Sequence, residues 1–372
     1  MRSWDIFCSI VDNFGDIGVS WRLTRQLQHE LNQSVRIFVD DLEVFSRLCQ
    51  EIDPNLQEQQ LQGIRICHWS LASQAHPADV VIETFGCHIP ESYREAMGAR
   101  ATTSVWLNLE YLSAEEWVDN CHLLPSPQLL GPAKVFYFPG FTEKTGGLLR
   151  ETDLIKQREG FSEELRLQFL ESLDVHLSEH CLLISVFSYR QPAIASWLDP
   201  LVKSATRTHL LVSPGPIEQD LCDWLAIDSL ETGRVYTRGN LGVQKIPFLS
   251  QDQYDRLLWS CDLNIVRGED SFVRAQWAAK PFIWHIYPQQ DDIHLVKLDA
   301  FMTRYMQEWD PQVAAVLRAV WYAWNRKEQS PDGWRWWTQN RPQLEQYASG
   351  WCDEQSSRKS LAKLLAEFVQ NC

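Results

Sequence analysis

Short apolar runs alternate with amphipathic stretches along most of the chain. Residues 4–11 form one such run and read as a buried strand. Just beyond, Val19, Leu23, Leu27 and Leu31 stand four apart, which puts them on one face of a helix. Residues 35–39 read as a second buried strand and 42–49 as a helix, whereas 53–63 are polar and glutamine-rich and read as surface loop. Residues 64–68, 79–84, 104–109 and 135–138 have the apolar character of further strands, with a short helix opening at Glu115. Strands that alternate with helices predict a parallel sheet covered on both faces.

Residues 140–165 break this rhythm with glycines and charges and read as an inter-domain stretch. A second series follows, with strands at 181–187, 209–212, 233–237, 261–266 and 281–286 and helices at 163–173, 251–260 and 272–279. From residue 295 the pattern is helical, through a tryptophan-rich 321–337 assigned to packing, to a last helix at 356–369. The expected fold class is α/β in two domains, a natural division for 372 residues. The boundaries read as 1–155 and 156–349, with a C-terminal helix of about 350–372 returning to the first domain.

A net charge of −15 argues against general nucleic-acid binding, which needs a basic footprint. The ten cysteines show neither Cys-x-x-Cys nor zinc spacing, so reduced thiols are expected, with Cys8 and Cys181 as small core residues. No signal peptide stands at the start, and no run approaches the ~18 apolar residues of a membrane span. A cytoplasmic protein with no membrane partner is the expectation.

Residues 11–22, Val-Asp-Asn-Phe-Gly-Asp-Ile-Gly-Val-Ser-Trp-Arg, join the first strand to the first helix. In an α/β domain such a connection delivers its loop to a ligand crevice. Gly15 and Gly18 are expected to supply a positive φ or a close approach. The loop is neither Gly-x-Gly-x-x-Gly nor a P-loop, which weighs against a dehydrogenase. Asp12 and Asp16 stand where phosphate-binding residues would, so the loop suits a cation or a group that loses a proton. The plainer alternative makes Asp16 a helix cap and Asp12 a turn former.

The stretch Arg267-Gly-Glu-Asp-Ser271 mirrors this arrangement. Gly268 makes the turn, and Ser271 is expected to cap a helix that starts at Phe272. A helix N-terminus there would receive phosphate beside Asp270 and Ser271, while Glu269 suits a sugar hydroxyl. Phe187, Tyr189, Phe248 and Tyr254 offer faces for a planar base, and Gln251 offers both donors and an acceptor. Core packing is the alternative for these aromatics. No Asp-x-Asp follows a strand, and Asp40–Asp41 and Asp291–Asp292 read as surface acids, so a metal-independent reaction is expected. Glu110, after a strand, is a further candidate, facing either an acceptor or a loop amide.

Taken together, residues 11–23, Leu-Glu110-Tyr-Leu-Ser, Phe-Pro-Gly140-Phe-Thr, Thr-Gly-Gly-Leu-Leu-Arg150-Glu and Arg267-Gly-Glu-Asp-Ser-Phe resemble the EarP family, in order and over nearly the whole chain. The resemblance implies a GT-B glycosyltransferase fold, two Rossmann-like domains facing a central cleft. It implies an inverting transfer of L-rhamnose from dTDP-β-L-rhamnose to one arginine of elongation factor P, which activates that factor for ribosomes stalled at polyproline. It assigns Asp16 as general base, with Asp12 and Glu269 also in the catalytic set. It places Asn13, Phe14, Gly15 and Gly18 in the catalytic loop. Phe187, Tyr189, Phe248, Gln251 and Tyr254 fall to the thymine end of the donor, and Glu269, Asp270 and Ser271 to its ribose–diphosphate end, with Arg267 also in the donor-binding set. Glu110 is the acceptor candidate, and neither metal nor cofactor is implied. A different acceptor, or a non-catalytic nucleotide-sugar-dependent binding protein, remains the alternative.

Overall fold

The computed structural model describes residues 2–12, 14–178, 180–330 and 333–372. The chain divides into two units, one of Met1–Thr152 with Ser357–Cys372 and one of Asp153–Ser356.

In the first unit the strands are β1 Ser3–Cys8, β2 Ser34–Val39, β3 Glu58–Leu61, β4 Ile64–His68, β5 Val80–Thr84, β6 Val105–Leu109, β7 Pro125–Ser126 and β8 Lys134–Tyr137. They form one sheet in the order β3-β4-β2-β1-β5-β6-β8-β7. All neighbouring pairs are parallel except the edge pairs β3/β4 and β7/β8. Helix cover on parallel strands explains their near-continuous apolar sequence. Asp5 interrupts β1 yet is 1% exposed. Arg36 donates to both of its oxygens at 2.8 and 2.7 Å, and the Tyr93 hydroxyl adds a third bond, so the buried charge is paired.

The first helix, Phe14–His29, buries Val19, Leu23 and Leu27, but Leu31 lies beyond its end. Residues 53–63 are not simply a loop. They contain β3, whose Glu-Gln-Gln-Leu sequence shows no apolar alternation because it is an edge strand. Residues 140–150 are packed into the first unit, where Phe141, Leu148 and Leu149 are buried. Gly147 has φ 70°, and a Cβ there would meet the carbonyl oxygen of Lys359 at 2.8 Å. The returning segment therefore requires glycine at that position. The last helix, Leu361–Gln370, packs on Phe14–His29.

The second unit contains β9 Leu182–Val186, β10 Thr208–Val212, β11 Val235–Arg238, β12 Leu241–Lys245, β13 Leu263–Arg267 and β14 Phe282–His285, in the order β11-β12-β10-β9-β13-β14. Only β11 runs antiparallel to its neighbour. In the tryptophan-rich segment Trp321, Trp324, Trp334 and Trp337 are core, each at most 5% exposed, while Trp336 is half-buried. Cys8 is buried, but Cys181, expected in the core, is only half-buried. No helix among the described residues is long and apolar enough to cross a membrane.

Each sheet has a topological switch point, where crossovers depart in opposite directions and leave a crevice at the carboxyl ends of the strands. In the first sheet it lies between β1 and β5, and in the second between β9 and β13. The loop holding Asp12 follows β1, the turn at Phe85–Gly86 follows β5, Phe187 and Tyr189 follow β9, and Gly268 follows β13.

Candidate active site

Asp16 is the third residue of the Phe14–His29 helix and is 2% exposed. It is not a helix N-cap. Its carboxylate reaches back along the chain, and Oδ2 accepts the N–H groups of Val11 and Asp12 at 2.8 and 2.9 Å. The Tyr111 hydroxyl donates to Oδ1 at 3.1 Å. One side chain therefore both closes the loop and keeps an oxygen directed to the other side. Asp12 is half-buried, and its carbonyl accepts the Gly15 N–H at 2.7 Å.

Gly15 and Gly18 do not supply the expected positive φ, since both lie within the helix. The need at Gly15 is space: a Cβ would meet Oδ2 of Asp12 at 2.9 Å. Phe14 opens the helix and is half-buried, and Asn13 lies outside the described residues. Glu110, also half-buried, accepts a hydrogen bond from the Asn108 amide, while Oδ1 of Asn108 accepts the Gly86 N–H at 3.1 Å.

In the second unit, Gly268 has φ 66° and turns the chain directly from β13 into the Asp270–Trp277 helix. Trp284 Nε1 donates to the Gly268 carbonyl at 2.8 Å and fixes the turn. Ser271 does not cap the helix. The helix begins earlier than the apolar pattern suggests, so Ser271 already lies inside it and donates back to the Arg267 carbonyl. Glu269 occupies the cap position without a side-chain hydrogen bond to the helix.

The remaining candidates gather around this turn. The Arg267 guanidinium lies over the rings of Phe187 and Tyr189, at 4.4 and 4.7 Å from their centroids. Tyr254 packs edge-on against Phe187 at 5.9 Å, and burial pushes its hydroxyl well above the usual tyrosine range. Gln251 is buried and donates to Asp270 Oδ2 at 3.3 Å. The Gln251–Ser260 helix is tied to Asp270–Trp277 by Arg274, which grips Asp255 through two bonds of 2.8 and 2.6 Å. Phe248 is half-buried one turn before that helix. Phe187, Tyr189, Tyr254 and Arg267 are thus linked by ring and guanidinium contacts, and Gln251 and Asp270 by a hydrogen bond.

The structure adds residues that the sequence did not single out. Tyr287 packs edge-on against Tyr189 at 5.7 Å and follows β14 as Tyr189 follows β9. Its place just after an apolar run was the available signal. His285 is fully buried and packs edge-on against Tyr189 at 5.2 Å. Trp324 Nε1, which can only donate, lies 3.2 Å from His285 Nδ1, so that nitrogen is the acceptor. Ser188 Oγ lies 2.7 Å from the same nitrogen. Burial pushes the His285 pKa down to about 3, which keeps the imidazole neutral. Tyr111 was visible only as part of the Leu-Glu-Tyr-Leu-Ser motif.

The family model described as elongation-factor P (EF-P) rhamnosyltransferase EarP matches residues 4–370. A protein-arginine rhamnosyltransferase of Pseudomonas putida is 50% identical over 372 residues, covering 99% of each chain. A structure solved to explain EarP-mediated arginine glycosylation of translation elongation factor EF-P has a TM-score of 0.73 at 39% identity, covering 100% of this chain and 99% of the other. UDP-GlcNAc 2-epimerase from Neisseria meningitidis reaches a TM-score of 0.54 at 10% identity, with 100% of both chains covered, which speaks to the fold alone. The two Rossmann-like sheets are those of the GT-B glycosyltransferase fold. With a match over nearly its whole length and half its residues shared with one such enzyme, the chain belongs to the EarP family of protein-arginine rhamnosyltransferases.

Proposed function

We propose that this rhamnosyltransferase moves L-rhamnose from dTDP-β-L-rhamnose to one arginine of elongation factor P, with inversion at the anomeric carbon. The acceptor follows the activity for which the family is described. The observation that carries the reaction is the Asp12–Asp16 loop at the carboxyl end of β1, where two carboxylates stand at a switch point. A guanidinium is protonated up to a pKa above 12, so no carboxylate deprotonates it in the ground state. As its nitrogen bonds to the anomeric carbon, its proton becomes acidic, and a placed carboxylate can take it. Asp16 is assigned that role through Oδ1, because Oδ2 already accepts two backbone N–H groups. Asp12, half-buried on the same loop, is assigned to hold the guanidinium by charge-assisted hydrogen bonds.

The donor reading rests on the second unit. The rings of Phe187, Phe248 and Tyr254 with the Gln251 amide suit a pyrimidine, and Glu269 suits a ribose hydroxyl. Arg267 and the N-terminus of the Asp270–Trp277 helix suit a diphosphate leaving with growing negative charge. These groups can meet that charge without a metal ion, so EDTA is expected to leave the rate unchanged. The consequence proposed in the cell is activation of elongation factor P for polyproline synthesis in the cytoplasm.

The test is mass spectrometry of elongation factor P after incubation with enzyme and dTDP-β-L-rhamnose. The expected result is a gain of ~146 mass units on a single arginine, the residue mass of a deoxyhexose. NMR of the product should show an α-linkage. An unmodified factor would transfer the proposal to the alternative, a different acceptor.

A further inference from the structure

The Asp16 carboxylate accepts from three donors, and the third, the Tyr111 hydroxyl, belongs to a residue with an unusual support. Tyr111 is 36% exposed, and its ring stacks on that of Phe85 with centroids 4.3 Å apart and planes 15° from parallel. Phe85 has φ 58°, a left-handed backbone that a bulky side chain seldom adopts. Gly86 follows with φ 68°. The turn is held by the Phe85 N–H, which donates to the Leu109 carbonyl at 2.7 Å, and by the Gly86 N–H on Asn108. Two successive left-handed residues at the end of β5 thus lay an aromatic ring against the tyrosine whose hydroxyl reaches Asp16. Strain of this kind persists where the surrounding structure enforces it, and it clusters at functional sites.

We propose that Tyr111, held in place by Phe85, is a positioning residue that sets the orientation of Asp16 Oδ1 for arginine attack. This rests on the reading of Asp16 as the base. Two N–H groups on Oδ2 anchor that oxygen, but the carboxylate plane can still turn about it. The hydroxyl on Oδ1 is the third point that fixes the plane. A carboxylate oxygen has two acceptor sites, so Oδ1 with Tyr111 on one of them keeps the other for the incoming proton. In the reaction the attacking guanidinium nitrogen forms the bond to the anomeric carbon, and the carbon–oxygen bond to the diphosphate breaks with its electron pair on the diphosphate. The nitrogen's proton passes to Oδ1 of Asp16, while Tyr111 keeps its own.

The experiment compares full-length wild type with Tyr111→Phe and Phe85→Leu, using elongation factor P and dTDP-β-L-rhamnose. Tyr111→Phe keeps the ring stack and removes only the hydroxyl. Its kcat is expected to fall about tenfold, the usual effect of losing a hydrogen bond to a charged group. The KM for the acceptor and the Kd for dTDP should stay within about twofold of wild type. Phe85→Leu should lower kcat in the same direction by less, about threefold, with the hydroxyl present but less well held. In an Asp16→Asn background, where the residual rate is followed by mass spectrometry over long incubation, Tyr111→Phe should cause no further loss. An unchanged kcat in Tyr111→Phe overturns the inference, as does a loss that falls on the acceptor KM alone. If wild type itself leaves the arginine unmodified, it is the proposed function that falls, so the two failures are told apart.

Discussion

The loop after β1 and the turn after β13 solve the same problem in opposite ways. Each carries the chain from a parallel strand at a switch point into a helix. The first uses an acid: Asp16 folds back from inside the helix and accepts the N–H groups of Val11 and Asp12. The second uses glycine: Gly268 turns at φ 66°, Trp284 holds its carbonyl, and Ser271 bonds back to Arg267. The first loop thus ends with carboxylates as its characteristic chemistry. The second ends with a guanidinium over two aromatic rings and a helix that no side chain caps. A cationic acceptor suits the first and an anionic donor the second. The local backbone solution and the chemical sign of each site come from the same few residues.

The largest effect is expected from removing the charge of the first loop. In Asp16→Asn the amide oxygen can replace Oδ2 and keep the bonds to Val11 and Asp12, so the loop should hold its shape. The oxygen assigned to the proton becomes an NH₂ group. The expected loss in kcat is about 100- to 10,000-fold, the range for a general base. Calorimetry should show dTDP binding nearly unchanged, because every residue assigned to the nucleotide belongs to the other unit. Equal losses of turnover and dTDP affinity would erase the division of labour between the loops.

The complementary change is Arg267→Ala. It removes the guanidinium from the faces of Phe187 and Tyr189 and leaves the first loop intact. The Kd for dTDP should rise about 10- to 100-fold, corresponding to a lost charge-assisted bond and its stacking. Saturating donor should then restore much of the rate. A fall in kcat that donor cannot rescue would instead place Arg267 in the chemistry of the leaving group.

How far these loops could be read in the sequence depends on whether a feature is local. The strand–loop–helix connections were legible because apolar runs and their breaks mark them. Strands β3 and β12 lack such a signal: β3 is a polar edge strand, and β12, one in from the edge, is hidden because Gly242 interrupts a short run paired with β11 around Gly239 and Asn240. The donor aromatics could be proposed one by one, but their assembly under Arg267 depends on β9 lying beside β13, nearly eighty residues away in register. Tyr111 and Phe85 were illegible for the same reason. Only the order β1-β5-β6 brings the end of β6 to Asp16. The expected cap at Ser271 fails because its helix begins before the apolar stripe, and an equally early start puts Asp16, for which a cap was only the alternative, inside its helix.

The two glycines give the finest test, since they look alike in sequence and differ in what they need. At Gly268 the requirement is conformational. Gly268→Ala forces a Cβ into the left-handed region and should cost about 1–2 kcal/mol, seen as a lower melting temperature. At Gly15 the backbone is helical, and alanine is the better helix former by about 1 kcal/mol. Gly15→Ala should therefore melt no lower than wild type. Its Cβ would stand 2.9 Å from Asp12 Oδ2, so the carboxylate must turn aside. The expected result is a fall in turnover of about threefold, with dTDP affinity unchanged. Opposite signs in stability from the same substitution would show that the first glycine is kept for Asp12 and the second for the turn. A Gly15→Ala enzyme with full turnover would mean that the position of Asp12 is not what limits the reaction.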